Sequence, residues 1–270
     1  MAKNEWQRRR DRAEELIADR PAASEVLRFF VTITELQEEL WRELEAGLAP
    51  APSADPGTNS FAQSLPLSLI GRFGSFLSGV KDSAPGPVVE GAERLRREDA
   101  ASQIEMLASF WQGTAGAVLQ PGPDDFFARA FLQPYAVYVR SRMSLQQTGP
   151  TPCLCPFCGR KPGSGVLRPL GDGGQRSLIC SLCLYEWEFR RIVCPACGEE
   201  NHAKLPVYTA EEPKDVRVEC CDRCRCYIKT VDLTKSGLAD PVVDEIAAIP
   251  LDLWAQDHGY AKLQLNLMQL

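Results

Sequence analysis

Four cysteine pairs in CxxC spacing lie between Cys155 and Cys224: Cys155/Cys158, Cys180/Cys183, Cys194/Cys197 and Cys221/Cys224. Two of them read Cys-Pro-x-Cys-Gly, as Cys155-Pro156-Phe157-Cys158-Gly159 and Cys194-Pro195-Ala196-Cys197-Gly198. Thiolates at this spacing grip one ion because the turn between them points backbone N–H groups at the sulfurs. Glycine after the second cysteine supplies the positive φ that closes the turn. One pair gives two ligands and a tetrahedral ion takes four, so two pairs close one site and eight cysteines imply two ions. The pattern points away from an ordinary catalytic pocket.

The pairs form a repeat. A unit of knuckle, loop, strands and knuckle runs from Cys155 to Cys183 and again from Cys194 to Cys224. The expected arrangement is sequential, with Cys155, Cys158, Cys180 and Cys183 at site 1 and Cys194, Cys197, Cys221 and Cys224 at site 2. The short Leu184–Val193 connection then joins two complete units. A cross-braced arrangement, first pair with third and second with fourth, also satisfies the spacing. Neither half of 150–235 carries enough apolar mass to fold alone, so bound ions supply folding energy. Closed tetrahedral sulfur sites suit zinc or iron. Zinc is the commoner structural choice, but this knuckle also holds a single iron in rubredoxins, so spacing leaves the metal open.

The chain of 270 residues, 44% hydrophobic, is long enough for more than one domain. Eleven cysteines, an odd number, fit poorly with a fully paired disulfide framework. Arg8-Arg9-Arg10 is followed by the charged run Asp11-Arg12-Ala13-Glu14-Glu15, where an export signal needs apolar residues. No stretch approaches a membrane span. A soluble, cytoplasmic protein in a reducing compartment is expected, where cysteine pairs hold metals rather than each other.

Residues 1–148 contain no cysteine and read as helical. Ser24 is the expected N-cap of a helix with Val26, Phe30, Ile33, Leu40 and Leu44 on one stripe, ended by Gly47 and Pro50. Ala51–Ser60 reads as a loop and Leu65–Leu77 as a short buried helix. One further helix is expected from Val88 to Gln112. After the Pro121-Gly122-Pro123 break another runs from an Asp124 or Asp125 cap to Met143, kinked or divided at Pro134. Gly149-Pro150 marks a boundary. Short strands are expected at Tyr185–Phe189, Val216–Val218 and Ile228–Val231, a short helix around Val243, Ile246 and Ala247, and a docked apolar tail from Tyr260 to Leu270.

Other features read more plainly. His202 and His258, the two histidines, are expected to be ordinary loop or surface residues. Cys153, Cys220 and Cys226 lie outside the four pairs and are expected to be inert thiols, unless one near Cys221 displaces an assigned ligand. Gly171-Asp172-Gly173-Gly174 lacks the Lys-Ser/Thr of a phosphate cradle and reads as a flexible link. A thioredoxin-like dithiol would need a βαβ context. A net charge of −6 removes the phosphate-driven affinity of a nucleic-acid-binding ribbon. The arginines and lysine at Arg160, Lys161, Arg190, Arg191, Arg223 and Arg225 are nearly balanced by Glu186, Glu188, Glu199, Glu200 and Asp222.

The two Cys-Pro-x-Cys-Gly knuckles, Cys180-Ser-Leu-Cys183 with Tyr185-Glu-Trp187, and Cys221-Asp-Arg-Cys224 with Tyr227-Ile-Lys229 resemble the FdhE family, the formate dehydrogenase accessory proteins of bacteria. Phe126–Arg140, with Leu132-Gln-Pro134, and Trp254–Tyr260 are similar to that family too. The resemblance implies a multi-domain α+β fold: a helical N-terminal domain (1–148), two small rubredoxin-like, zinc-ribbon-like four-cysteine metal modules (149–190 and 191–235), and a C-terminal helix and tail (236–270). It implies a non-enzymatic cytoplasmic factor that binds the catalytic subunit of a respiratory formate dehydrogenase before export. It shifts the metal towards iron, with zinc the alternative. No role carries over to Cys153, Cys220 or Cys226. The expected function is therefore maturation of that enzyme through a metal-stapled scaffold, with no nucleic acid and no membrane insertion, and with self-association left open. The rival readings are a rubredoxin-type electron-transfer protein and a nucleic-acid-binding ribbon.

Overall fold

The computed structural model describes residues 4–50, 61, 63–80, 84–113, 123–143, 152–171 and 173–270. The Ala51–Ser60 loop, the Pro121-Gly122 break, the Gly149-Pro150 boundary and Asp172 lie outside these residues.

The N-terminal half is helical. Helix α1 (Glu5–Asp19) is capped by Asn4, whose side chain accepts from the Gln7 amide at 2.8 Å. A 3-10 turn at Pro21–Ala23 leads into α2 (Ser24–Glu45). Ser24 is therefore the first residue of that helix and not its cap, which is Ala23 without a side-chain bond. The preceding turn already feeds the helix its geometry, because Ser24 donates its amide back to Pro21 O. Phe30, Ile33, Leu40 and Leu44 are buried, as the stripe requires, and Val26 is half-buried.

Two expected helices are each divided. The 65–77 segment forms α3 (Leu67–Ile70) and α4 (Phe73–Gly79), parted at Gly71. The 88–112 segment forms α5 (Gly86–Arg97) and α6 (Ala100–Gln112). The break falls where Glu98 turns extended and Asp99 caps α6, accepting from the Ser102 amide at 2.8 Å. An aspartate with a free amide three residues on competes with helix continuation and wins here.

Helix α7 (Pro123–Ser141) runs through Pro134 without interruption and stops short of Met143. Proline at that position removes the amide that would reach Ala130 O. The Gln37 side chain on α2 donates to that carbonyl instead, at 2.8 Å. Phe73 and Phe76 of α4 pack on Phe131 of α7, with ring centroids 5.0 and 5.4 Å apart.

The second half is built on one sheet. Strands β1 (Pro162–Leu170) and β2 (Gly173–Cys180) form an antiparallel hairpin turned at Gly171, and β3 (Glu186–Glu188) pairs with β2. The second unit supplies β4 (Val207–Thr209), β5 (Val216–Cys220) and β6 (Cys226–Asp232) as an antiparallel meander. The expected strands near Tyr185, Val216 and Ile228 are present; β1, β2 and β4 are additional. Gly171 thus stands at a hairpin turn and Gly173-Gly174 opens β2.

The units are joined by parallel pairing of β1 with β6, Gly165 opposite Thr230 and Leu167 opposite Asp232, giving the order β3-β2-β1-β6-β5-β4. A Cβ on Gly165 would lie 2.3 Å from Thr230 Oγ1, so glycine lets the two strands meet.

After the sheet come α8 (Val243–Ala247), α9 (Ile249–Asp257) and a short strand β7 (Ala261–Lys262) parallel to β6. The tail docks as expected, with Leu263 and Leu267 buried. A buried charge group fastens this segment. Lys229 Nζ lies 3.2 Å from Glu245 and 2.5 Å from Asp252, and Lys262 Nζ lies 2.5 and 3.0 Å from the same carboxylates. Tyr227 OH and Asn266 Nδ2 complete it, donating to Asp252 at 2.7 Å and to Glu245 at 2.9 Å. On the far side of α8, Arg12 of α1 grips Asp244 with bonds of 3.0 and 2.6 Å.

The main core runs from the helices into the first unit, taking in Phe157, Leu178, Leu182 and Trp187. A smaller core lies between the second unit and α9, around Val218, Tyr227 and Leu251. The whole is a mixed α+β chain, helical first and then a sheet region with two four-cysteine clusters. Among the described residues no helix is long and apolar enough to cross a membrane.

Candidate metal centres

All four knuckles share one backbone plan. The first cysteine of each donates its amide to the carbonyl five residues on: Cys155 to Arg160 at 2.8 Å, and Cys180 to Tyr185, Cys194 to Glu199 and Cys221 to Cys226 at 2.9 Å. The residue after the second cysteine has positive φ in every case: Gly159 at 69°, Leu184 at 54°, Gly198 at 72° and Arg225 at 58°. In three knuckles its amide closes the turn onto the first cysteine's carbonyl, at 2.8–3.0 Å. Leu182 N–H and Ala196 N–H also point at Cys180 Sγ and Cys194 Sγ, each at 3.4 Å.

Consecutive knuckles face each other. Cys155, Cys158, Cys180 and Cys183 form one cluster and Cys194, Cys197, Cys221 and Cys224 the other, with the sulfurs of each within 4.8 Å of one another. This is the sequential grouping, and first and third knuckles are not brought together. In the first cluster Cys155 and Cys183 Sγ are 3.5 Å apart, and Cys158 Sγ lies 3.3 Å from Cys180 and 3.6 Å from Cys183. In the second, Cys194–Cys224 and Cys197–Cys221 are 3.7 and 3.8 Å apart. Four sulfurs bonded to one ion at about 2.3 Å and tetrahedral angles stand roughly 3.8 Å from each other. Both donor sets therefore match a closed tetrahedral sulfur site, and both clusters are able to bind metal ions.

Hydrogen bonds from Cys158, Cys180 and Cys183 hold the Cys155 thiol far below its ordinary range, while burial drives Cys180 and Cys183 well above theirs. In the second cluster burial raises Cys194, Cys197 and Cys224. At Cys221 burial is outweighed by the N–H groups of Cys224 and Arg223, and the thiol is lowered. Loading either cluster with a metal must expel the remaining protons.

The clusters differ in setting. Cys155, Cys180 and Cys183 are 3%, 1% and 0% exposed and belong to the main core. Cys197 is exposed and Cys224 half-buried. Among the described residues the helical half touches the first cluster directly. Gln133 on α7 donates to Ser181 O between the second-knuckle cysteines, at 3.4 Å. Arg160, just after the first knuckle, donates to Phe110 O in the last turn of α6, where a cation is favoured. Cys155 and Phe157 pack into the helical core.

The remaining candidates stay outside the clusters. Cys220 is buried beside Val218 and Tyr227, its thiol pushed up to about 12 by burial. Cys153 and Cys226 are half-buried, and Cys226 makes only a weak contact to Cys224 O at 3.7 Å. His202 is exposed in a short 3-10 turn, and His258 stacks on Trp254. Three of the flanking arginines are partnered by carboxylates: Arg190 with Glu200, Arg223 with Glu199 and Arg225 with Asp222. Sequence reading missed what Arg225, Arg160, Gln133 and Lys229 do, because each acts through a partner remote in the chain.

Residues 154–191 match a family profile described as "FdhE, central domain", and residues 192–269 one described as "FdhE, C-terminal domain". A "Protein FdhE homolog" of Edwardsiella ictaluri is 31% identical over 279 residues, which is 94% of this chain and 86% of that protein. One from Aquifex aeolicus is 32% identical over 181 residues; that match takes in 66% of this chain and spans 62% of the relative's length. The crystal structure of the FdhE protein from Pseudomonas aeruginosa superposes with a TM-score of 0.71 at 26% identity, covering 98% of this chain and 95% of that one.

Proposed function

The chain belongs to the FdhE family, and from that premise we propose that it is a cytoplasmic accessory protein for assembly of a respiratory formate dehydrogenase, binding the immature catalytic subunit before export. The observation that carries this is similarity along nearly the whole chain in both sequence and fold, helical half included. Metal modules alone would have been compatible with many binding or redox proteins. The eight cysteines of the two clusters are the proposed ligands, one divalent ion to each. Iron is the proposed ion for the cell and zinc the alternative. The ions supply folding energy to the sheet region, and the client-binding surface spans helices and modules. No residue is assigned a catalytic role.

The test is co-expression of tagged protein with that catalytic subunit, followed by anaerobic purification and elemental analysis. A stable complex with about two ions per chain is expected. Serine at Cys194 or Cys221 should weaken the complex through lost folding. If such variants stay folded and still mature the enzyme, the modules have no part in it. A second reading, rubredoxin-type electron transfer, draws on the exposure of Cys197. It predicts a visible charge-transfer band that bleaches reversibly on reduction. A colourless protein with two zinc ions would oppose it.

A further inference from the structure

We propose that the two clusters have different duties: the first is a permanent staple, whereas the second exchanges its ion and reports its occupancy to the C-terminal segment through Arg225. The inference rests on the proposed loading of both clusters with metal.

The asymmetry comes first. Three of the four sulfurs of the first cluster sit inside the main core, so an attacking ligand must open packing against Phe157, Leu182 and Trp187 to reach them. The ligand cysteines of the second cluster lie outside both hydrophobic cores, and Cys197 faces solvent. A cavity of about 40 Å³ is also bordered by Cys194, Cys221, Cys226 and Arg176. An acceptor that is a small thiol or an aminocarboxylate chelator can therefore engage an ion at Cys197 without unfolding anything. Each sulfur that releases the ion takes up a proton, and the acceptor supplies the replacement ligand.

The reporter is Arg225. It follows Cys224 and holds a φ of 58°, a left-handed conformation that strains an ordinary residue and that the closed knuckle sustains. Gly159 and Gly198 adopt that conformation without strain, whereas Leu184, the equivalent residue of the first unit, shares it. What the arginine adds is a clasp. Nη2 donates to His258 O at 2.5 Å, Nε to Gly259 O at 3.3 Å and Nη1 to Asp222 at 3.2 Å, and the guanidinium lies 3.9 Å from the Tyr260 ring centroid. Arg225 O accepts from the Ala261 amide at 2.8 Å, and Tyr260 OH donates to Asp222 at 2.6 Å. The segment so held continues into Lys262 of the buried charge group, and then into Leu265 and Asn266, whose carbonyls accept from Arg129 of α7 at 2.6 and 3.0 Å. A knuckle that relaxes when its ion leaves drops the clasp, and the loosening reaches the helical half.

The experiment uses the full chain loaded with zinc, challenged anaerobically with EDTA and a chromogenic chelator. Native mass spectrometry counts ions, alkylation mapping identifies the freed cysteines and hydrogen exchange reads the backbone. The expected result is release in two phases separated by at least about tenfold in rate, with Cys197 and Cys224 alkylated in the first. The one-ion protein should exchange faster at 258–264 while 176–183 stays protected. Arg225→Gly, which keeps the φ and the backbone bond to Ala261 but removes the guanidinium contacts, should retain two ions yet lose protection at 258–264. Release in one phase, release from the first cluster first, or unchanged protection of 258–264 in either the one-ion protein or the glycine variant overturns the proposal. No formate dehydrogenase is present, so failure here leaves the assembly role standing.

Discussion

Gln37 Nε2 donates to the Ala130 carbonyl at 2.8 Å, the acceptor that Pro134 deprives of its helical amide. The same amide group lies 3.2 Å from Gln133 Oε1, and Gln133 reaches Ser181 O beside the first cluster. One proline inside α7 is thus accommodated by a side chain from α2, and the repair leads on to a metal knuckle.

Removing that repair should be costly. Gln37→Leu leaves a buried carbonyl unsatisfied and should destabilise by about 1–3 kcal/mol in urea titrations. Pro134→Ala restores the missing amide, so the double variant should recover part of the loss. Purely additive losses would show that the two positions are not coupled.

Gly198 offers a test of backbone geometry alone. A Cβ there meets nothing within 4 Å, yet φ is 72°. Gly198→Ala should therefore cost only the left-handed strain of ~1–2 kcal/mol, weakening metal binding at the second cluster about 5- to 30-fold in chelator competition. Gly74→Ala, in helix α4 with equally open space, should stabilise by ~0.4–1 kcal/mol instead.

Gly165 tests the shared sheet. Gly165→Val drives a side chain into Thr230 and should open the β1·β6 pairing, seen as fast hydrogen exchange at both 165–167 and 230–232. The expected cost is about 1–3 kcal/mol. Thr230→Ala clears space and should return part of it. A variant with unchanged exchange would mean that the strands tolerate a wider separation.

The buried charges set an acid limit. Burial opposes ionisation of Glu245, but the ammonium groups of Lys229 and Lys262 prevail and hold its carboxyl below the ordinary value. A carboxyl lowered in the folded state stabilises at pH above its unfolded value of about 4.3, and that contribution is lost as pH falls through the folded value. Glu245→Gln should remove it, flattening the acid limb of stability against pH. It also leaves two buried lysines sharing Asp252, so about 3–5 kcal/mol should be lost at pH 7. Urea midpoints between pH 7 and 4, with metal present throughout, give both quantities.

The knuckles were legible because their information is local: spacing, a following glycine and a short Leu184–Val193 connection suffice to gather sulfurs by consecutive pairs. The stripe of α2 was legible for the same reason, since periodicity reports burial. Helix boundaries were less so. Glu98-Asp99 interrupts an apolar pattern by a side-chain bond that hydropathy does not register. The β1–β2 hairpin escaped notice because Pro162-Gly-Ser-Gly and Gly173-Gly174 lack the alternation of a half-buried strand. Least visible was the parallel seam between β1 and β6, which depends on Gly165 meeting Thr230 far along the chain. Gly165 reads locally as a loop residue, and only its distant partner explains it.

That seam has a consequence during synthesis. All four cysteines of the first cluster leave the ribosome before β6 has been made, so β1 waits with one edge bare. At about 5–20 residues per second, the interval between residues 167 and 232 lasts roughly 3–13 s. An unpaired strand edge is a template for association with other chains. A nascent polypeptide stalled or cleaved before Thr230 should therefore partition into aggregates even when its first ion is in place. Translation past β6, rather than arrival of the first metal, is the event that makes the sheet safe.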